Sequence, residues 1–245
     1  MNVTAIIPAR YTSVRFEGKP LALIKGIPMI QHVYERVMEC PMIERTLVAT
    51  DDERIYNAVK DFHGEAFITS PHHKTGTDRL AEVAAKINAD IIVNVQGDEP
   101  LIDHEMISQA IAPILKDRDI SMSTLKVKIN DEREIQNTNV VKVVTDLEGY
   151  AIYFSRFPIP FSRNSGDDAY FKHIGLYVYR KDFLLRFTNL PQGPLEQAER
   201  LEQLRALEHG YKIKVVLTTY DTIGVDTRDD LKRVEEILSN RNDGT

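Results

Sequence analysis

Three cationic side chains lie within ten residues near the start of the chain. Arg10, Arg15 and Lys19 follow a short apolar run, and Gly18 stands directly before the last of them. Fixed cations, free backbone N–H groups and a glycine that permits close approach suit a ligand with several phosphates. A solvated basic loop has the same composition, and the charges alone do not separate the two. The position after a predicted strand favours anion binding.

Two carboxylates, Asp98 and Asp226, also follow predicted strands, in distant parts of the chain. Gly97 and Pro100 form a rigid turn that aims the side chain of Asp98. Two acids at strand ends can hold Mg²⁺, which uses few carboxylates together with phosphate oxygens. A single Asp before a helix is more often an N-cap, and this interpretation stays open for Asp226. A cationic loop with a magnesium pair suggests chemistry on a nucleoside triphosphate.

The elements that must position these residues alternate between strand and helix in the first half. Short apolar runs predict strands, the first of which stops at Pro8, and helical periodicity predicts the segments between them. The predicted strands are 3–7, 46–50, 65–69 and 91–95. The predicted helices begin near Pro28, at Asp51-Asp52, at Thr77 or Asp78, and at 103, the last ending near 115. This alternation predicts an α/β fold with a doubly wound, mainly parallel, Rossmann-like sheet.

The second half is richer in strands and contains fewer predicted helices. Strands are expected at 121–127, 140–145, 151–154 and 173–179, followed by an amphipathic helix at 194–209, a strand at 212–217 and a helix at 227–238. We therefore predict a single domain over residues 1–245. Residues 1–118 form its nucleotide-binding half, about 119–192 a β-rich insert for substrate binding or a dimer contact, and 193–245 the closing helices and strand.

Composition places the chain among ordinary soluble proteins. It has 245 residues, of which 42% are hydrophobic and 28% charged, which argues against disorder. The net charge of −6 gives no general attraction to nucleic acid or anionic lipid. A single cysteine, Cys40, cannot form an internal disulfide, and no segment approaches the ~18 apolar residues of a membrane helix. A cytoplasmic protein without membrane insertion is expected.

Several nucleotide and metal motifs are absent from the sequence. No two of the 12 glycines are two residues apart, which excludes G-x-G-x-x-G, and none are spaced for a Walker A loop. His104-Glu105 resembles the start of H-E-x-x-H, but Ser108 stands where the second histidine is needed. G-x-S-x-G is also absent. Dinucleotide dehydrogenases, P-loop kinases, zincins and α/β-hydrolases are therefore disfavoured.

A series of ordered motifs resembles the sugar nucleotidyltransferases, and within them the 3-deoxy-manno-octulosonate cytidylyltransferase family. The similarity runs from about residue 3 to residue 238. The motifs are Pro8-Ala9-Arg10 with Gly18-Lys19-Pro20-Leu21, Ala49-Thr50-Asp51-Asp52, Thr75-Gly76-Thr77-Asp78-Arg79, Val93-Asn94-Val95-Gln96-Gly97-Asp98-Glu99-Pro100, Tyr153-Phe154-Ser155-Arg156, His173-Ile174-Gly175-Leu176-Tyr177, Leu201-Glu202-Gln203-Leu204-Arg205 and Gly224-Val225-Asp226-Thr227.

The resemblance implies transfer of CMP from CTP to the anomeric hydroxyl of 3-deoxy-D-manno-octulosonate (Kdo), with release of pyrophosphate, for lipopolysaccharide biosynthesis. It also implies Mg²⁺ as cofactor, held by Asp98 and Asp226, and a homodimer. The implied catalytic residues are Arg10, Lys19, Asp98 and Asp226. The implied nucleotide-binding residues are Pro8, Ala9, Arg10, Arg15, Lys19, Thr75, Gly76, Gln96 and Asp98. The implied sugar-binding residues are Arg156, His173, Tyr177, Glu202 and Gln203, with Arg156 pairing with the sugar carboxylate.

Two other functions remain open. One is a cytidylyltransferase for another acidic sugar, such as sialic acid or 8-amino-Kdo, and the other is a non-catalytic CTP-binding regulator. On pattern alone, His173 reads as a core histidine, and Glu202 and Gln203 read as surface residues. The cationic loop also departs from the family, because Phe16-Glu17 replaces the usual Leu-Pro. Loss of the proline predicts a more mobile empty loop, and Glu17 adds a negative charge near the triphosphate.

Overall fold

The computed structural model describes residues 1–12, 16–163 and 170–242. The chain divides into two compact units, Met1–Ser108 with Thr222–Thr245, and Gln109–Asp221. We predicted that 193–245 closes the fold as one part, whereas the final helix belongs to the unit that contains the first strand. The single domain over the whole chain stays a prediction.

The principal strands of the first unit form a parallel sheet in the order β6-β1-β4-β5. These strands are β1 (Val3–Ala9), β4 (Arg45–Thr50), β5 (Ala66–Ile68) and β6 (Ile91–Asn94). The apolar side chains of β1, β4 and β6 are almost fully buried, as expected for a parallel sheet that is covered on both faces.

The first strand continues through Pro8, so the prediction that it stops there is wrong. Ile6 O accepts a hydrogen bond from Val95 N on the β6 side of β1. Because backbone groups alternate between the two neighbouring strands, the nitrogen of Pro8 faces that same side, where β6 has already ended. The missing N–H of Pro8 therefore costs no sheet hydrogen bond, and Ala9 still pairs with Thr50.

Helices follow the strands of this unit. They are α1 (Met29–Met38), α2 (Glu53–Asp61), α3 (Gly76–Lys86) and α9 (Arg228–Asn242), together with a 3-10 turn at Lys19–Leu21 and a hairpin of β2 (Leu23–Ile24) and β3 (Ile27–Pro28). A further helix, α4 (His104–Lys116), begins in the first unit and ends in the second. Asp52 caps α2, as predicted, because its carboxylate accepts from Arg54 N at 2.9 Å.

An apolar cluster fixes α9 against the segment that follows the cationic loop. Phe16, Ile24, Met29 and Val225 are buried in it together with Val234 of α9. Burial of these side chains brings the start of α9 to the carboxyl end of the sheet. Asp226 is thereby placed at the same edge as Asp98.

The second unit is rich in strands, which confirms the predicted β-rich second half. Its strands are β7 (Met122–Lys128), β8 (Lys142–Thr145), β9 (Ala151–Ser155), β10 (Phe171–Arg180) and β11 (Lys214–Thr218). Its helices are α5 (Glu132–Gln136), α6 (Lys181–Phe187), α7 (Pro194–Glu199) and α8 (Leu204–Glu208). β10 runs antiparallel to β7 and β8, β9 runs antiparallel to β8, and β11 runs parallel to β7.

The predicted continuous helix at 194–209 is wrong, because the chain breaks it between α7 and α8. Arg200 has a left-handed backbone with φ of 53°, and Arg156 Nε donates to the carbonyl of Glu199 at 2.8 Å. Arg205 then forms a two-pronged ion pair with Glu196, at 2.8 and 2.6 Å. Nine residues of uninterrupted helix would separate these side chains by about 13 Å along the axis. The break is therefore needed for the buried pair to form.

Candidate active site

A cavity of about 310 Å³ lies at the carboxyl end of the first unit's sheet. It collects residues from the cationic loop, from the start of α3 and from the turn after β6, as the sequence predicts for a doubly wound sheet. Its lining residues are Pro8, Ala9, Arg10, Thr12, Lys19, Pro20, Gly76, Gln96, Gly97 and Asp98. Of the predicted nucleotide-binding residues, Arg15 lies outside the described part of the chain.

Gly97 allows the turn after β6 to lie against β1. A Cβ atom added at this position would lie 2.9 Å from the carbonyl oxygen of Pro8, which is closer than real Cβ contacts. In the cationic loop, directly before Lys19, Gly18 has φ of 68°, and its N–H donates to Tyr11 O at 2.8 Å. This backbone hydrogen bond joins the two ends of the cationic loop. Both glycines are therefore required by the backbone path around the cavity.

Thr75 begins α3, which corrects the prediction that Thr77 or Asp78 is the N-cap. Thr75 Oγ1 accepts from Asp78 N at 3.1 Å, and the Asp78 carboxylate accepts from Thr75 N at 3.1 Å. This reciprocal capping box fixes the first turn of α3 beside the cavity. Thr75 thus has a structural role, while its predicted role in nucleotide binding stays a prediction.

Arg10 ties the end of β1 to the turn that precedes α3. Its guanidinium donates to His73 O at 3.0 Å and to Lys74 O at 3.3 Å. Burial lowers the pKa of Arg10, and the positive charge of Arg79 lowers it further. The side chain of Arg79 is fully buried and pairs with Asp51 at 2.7 Å. A second cation, fixed by its own carboxylate, therefore lies near Arg10.

Lys19 brings the two predicted metal ligands together. Its ammonium Nζ lies 2.6 Å from Asp98 Oδ2 and 3.4 Å from Asp226 Oδ1. The two carboxylate-bearing turns are themselves joined by a hydrogen bond of 2.8 Å from Val225 N to Asp98 O. The structure thus places one cation and two carboxylates from three distant segments at the edge of the cavity.

Asp226 is not the N-cap of the last helix, so that interpretation is wrong. Thr227 Oγ1 accepts from Asp230 N at 3.2 Å, and Asp230 Oδ2 accepts from Thr227 N at 2.8 Å. This reciprocal pair is a capping box one residue further along the chain. The carboxylate of Asp226 is instead directed to Lys19.

The Asp98 and Asp226 pair fits Mg²⁺ by its donor set. Both carboxylates reach the same cation, the ammonium of Lys19, so they converge on one point. Within 1–12, 16–163 and 170–242, no group of three or more His, Cys, Asp or Glu side chains can hold a metal ion. Two carboxylates beside a cavity lined by Arg10 and Lys19 match the preference of Mg²⁺ for few protein ligands and several phosphate or water oxygens.

Three of the five predicted sugar-binding side chains, His173, Tyr177 and Glu202, lie in or near one aromatic cluster of the second unit. The rings of His173 and Tyr177 are 5.2 Å apart, and His173 lies edge-on to Phe154 at 5.1 Å. Burial lowers the pKa of His173 to about 3, so its imidazole is neutral at physiological pH. Burial also raises the pKa of Tyr177, and the negative charge of Glu202 contributes to that rise. Gln203, read as a surface residue on pattern alone, is 6% exposed.

The fifth, Arg156, is engaged with the backbone. Its Nε donates to Glu199 O at 2.8 Å, one terminal nitrogen donates to Thr138 O at 3.0 Å, and the other to Arg200 O at 3.5 Å. The bonds to Glu199 O and Arg200 O cap the end of α7, where a cation is favourable. Pairing of Arg156 with a sugar carboxylate stays a prediction.

Sequence reasoning missed three ionic groups that support these residues, of which Arg79 and Lys142 are fully buried. Arg79 carries no local signal except a charge on the buried face of α3, one turn before Val83. Glu199 accepts from Ser155 Oγ at 2.6 Å and from Arg156 N at 2.9 Å. Fully buried Lys142 donates to three backbone carbonyls, one of them that of Arg156 at 2.6 Å. Except for Asn137 and Val140, which precede Lys142 by five and two residues, their partners are more distant in sequence, so spacing could not reveal them.

The family model and two curated relatives that match this chain are all cytidylyltransferases. A family model described as Cytidylyltransferase matches residues 4–213. The chain is 56% identical over 252 residues to the 3-deoxy-manno-octulosonate cytidylyltransferase of Geotalea daltonii, covering 98% of this chain and 100% of that protein. It is 55% identical over 249 residues to that of Geobacter sulfurreducens, covering 97% and 100%.

Solved structures of similar fold agree with the match to cytidylyltransferases. A CMP:2-keto-3-deoxy-manno-octonic acid synthetase complexed with CTP superposes with a TM-score of 0.95 at 42% identity, over 98% of this chain and 100% of that one. A cytidylyltransferase from Leptospira borgpetersenii, at 17% identity and a TM-score of 0.65 over 98% of this chain and 87% of that one, shares the fold. The predicted α/β nucleotidyltransferase fold is confirmed.

Proposed function

Because the chain belongs to the 3-deoxy-manno-octulosonate cytidylyltransferase family, we propose that it transfers CMP from CTP to the anomeric hydroxyl of Kdo and releases pyrophosphate. The observation that carries this proposal is the convergence of Lys19, Asp98 and Asp226 beside the cavity that Arg10 and Gly76 also line. The product would serve lipopolysaccharide biosynthesis.

The proposed reaction is an in-line displacement at the α-phosphorus of CTP. The anomeric oxygen forms the new bond to phosphorus while the bond to the bridging oxygen of pyrophosphate breaks, and the hydroxyl proton passes to solvent. No covalent enzyme intermediate is required. Positioning and charge neutralisation supply most of the catalysis in such transfers. Lys19 and Arg10 are the described cations that line the cavity and can offset charge on the triphosphate.

Asp98 and Asp226 would hold Mg²⁺ in this proposal. When bound there, Mg²⁺ supplies positive charge to the phosphate oxygens of the reacting nucleotide. The chain holds both carboxylates at one place in two ways. The capping box of Thr227 and Asp230 leaves Asp226 directed to Lys19, and a hydrogen bond joins Val225 to Asp98.

The second unit would hold the sugar acid around His173. The hydroxyl of Thr124 lies within 3.0 Å of Ile174 O and 2.8 Å of Leu176 O, so its single proton is donated to a carbonyl. Its oxygen therefore accepts from His173 Nε2, 3.0 Å away. This assigns the proton of the neutral ring to Nε2, and leaves Nδ1 as an acceptor for a sugar hydroxyl.

We also propose a homodimer that works in the cytoplasm, where CTP is made. Support for the dimer comes from large apolar side chains on and after β9, since Ile152 is 61%, Phe157 73% and Phe161 90% exposed. In the described part of the chain, no helix has both the length and the apolar character needed to cross a bilayer. Light scattering tests the dimer by measuring the molecular mass in solution. The unaltered protein should have the mass of a dimer, and the double variant Phe157→Ser with Phe161→Ser that of a monomer.

Pyrophosphate release from CTP tests the reaction and its sugar. The unaltered protein is assayed with Kdo, 8-amino-Kdo and sialic acid, each with and without Mg²⁺. Turnover is expected with Kdo, only when Mg²⁺ is present, and with a higher kcat/KM than for either other sugar. A preference for 8-amino-Kdo or sialic acid would reassign the substrate. CTP binding with no turnover of any sugar would establish the regulator instead.

A further inference from the structure

Lys19 contacts two carboxylates, which a lysine that served only to bind phosphate would not need. Its ammonium lies 2.6 Å from Asp98 Oδ2 and 3.4 Å from Asp226 Oδ1. The side chain of Lys19 is 16% exposed, while those of Asp98 and Asp226 are 33% and 49% exposed. One cation thus neutralises two carboxylates that face water more than it does.

A magnesium ion and this ammonium compete for the two carboxylates. Mg²⁺ requires its oxygen ligands at about 2.0–2.1 Å in a near-octahedral arrangement. Lys19 Nζ already lies at hydrogen-bonding distance from an oxygen of each carboxylate. A divalent ion on the same oxygens would stand against a positive charge at contact distance, where repulsion is strong.

We propose that Lys19 is an exchangeable internal counter-ion, which occupies the place of the metal until nucleotide draws it away. This inference rests on the proposed magnesium site at Asp98 and Asp226. The ammonium stands on a flexible four-carbon stem, so it can move without a change in the fold. Lys19 also lines the cavity with Arg10, and a triphosphate there offers it phosphate oxygens in exchange for the two carboxylates.

The exchange couples the two ligands of the site. Metal alone must displace Lys19 into solvent, and therefore binds weakly. Nucleotide gives the ammonium a new partner and releases both carboxylates, so metal then binds more tightly. By linkage, bound metal raises the affinity for nucleotide by the same factor. A lysine that only ties the cationic loop to the start of α9 would affect stability and leave metal affinity unchanged.

The test measures Mn²⁺ binding to the protein without nucleotide, from the electron paramagnetic resonance signal of free Mn²⁺. Lys19→Met removes the counter-ion, Lys19→Arg keeps a cation there, and Lys19→Met with Asp98→Asn removes one ligand as well. Lys86→Met is the matched control, because Lys86 pairs with one carboxylate, Glu82 at 2.7 Å, and is 54% exposed. It changes the net charge by the same amount as Lys19→Met.

Lys19→Met is expected to bind one Mn²⁺ about 10-fold more tightly than the unaltered protein. Lys19→Arg and Lys86→Met should bind as weakly as the unaltered protein, and the double variant should lose the gain. Equal affinity of Lys19→Met and the unaltered protein, or a gain that survives Asp98→Asn, would overturn the proposal. Lys19→Gln provides the same test if the Met variant does not fold. Because the pyrophosphate assay uses the unaltered protein, failure here leaves the proposed reaction standing.

Discussion

Lowering the pH from 7 to 5 should destabilise the protein through His173, and His173→Gln should remove that contribution. The imidazole lies edge-on against Phe154, and burial lowers its pKa from the usual 6.5 to about 3. The folded chain therefore keeps this ring neutral over a range in which the unfolded chain protonates it. Since the proposed sugar site uses the neutral ring, the measurement also reports on that site.

The sign and size of the effect follow from linkage. A group whose pKa is depressed on folding contributes its full stabilisation above the unfolded pKa, and loses it as the pH falls toward the folded pKa. With 1.36 kcal/mol per pH unit and an unfolded pKa of 6.5, His173 lowers the free energy of unfolding by about 2 kcal/mol between pH 7 and pH 5. The loss continues down to about pH 3.

Urea unfolding of the unaltered protein and of His173→Gln at both pH values provides the assay. Glutamine keeps a side-chain donor for Thr124, and the other histidines and carboxylates cancel in the difference between the two proteins. The unaltered protein should lose about 2 kcal/mol more than the variant on going from pH 7 to pH 5. Equal losses would show that His173 has the same pKa in the folded and unfolded chains, and would refute a neutral His173 ring at pH 5.

Three further substitutions test the site and its support. Gly97→Ala should lower the free energy of unfolding by about 1–3 kcal/mol, measured as a lower Tm, because the added Cβ would lie 2.9 Å from Pro8 O. The same substitution should raise the KM for CTP. Gly224→Ala is the control, because a Cβ added there has nothing within 4 Å. Arg205→Met should cost about 3–5 kcal/mol in urea unfolding, because it leaves Glu196, 5% exposed, without its cation. Asp98→Asn should lower kcat at least about 100-fold while the circular dichroism spectrum stays unchanged; near-normal turnover would remove Asp98 from the mechanism.

The sheet and the site edge could be predicted because local patterns encode them. The short apolar run at 91–95 predicts a buried strand from its own residues, and the structure has β6 there. The turn Gln96–Pro100 then follows at the carboxyl end of that strand. Parallel pairing then brings such turns together without further information. The alternation of strand and helix therefore sufficed to place Arg10 and Asp98 at one edge.

Features that depend on remote partners could not be predicted in this way. The segment 194–209 has the periodicity of one helix, and what breaks it is Arg156, about forty residues earlier in the chain, together with the pairing of Glu196 with Arg205. The local pattern at Asp226 also fits both an N-cap, which is the more frequent case, and a metal ligand. Only the capping box of Thr227 and Asp230 decides between the two.

Phe16 and Glu17, where the resemblance implies Leu and Pro, differ in burial. Phe16 is 8% exposed in the apolar cluster with Ile24 and Val234. Glu17 is exposed, so its charge remains in solvent. The end of the loop is thus anchored by a side chain where proline would have stiffened the backbone. Because Val234 belongs to α9, whose first turn follows Asp226, the contact that fixes Phe16 also fixes the approach of Asp226 to Lys19. A substitution that shortens the Phe16 side chain should therefore move Asp226 away from Lys19 and Asp98 before it disturbs the sheet.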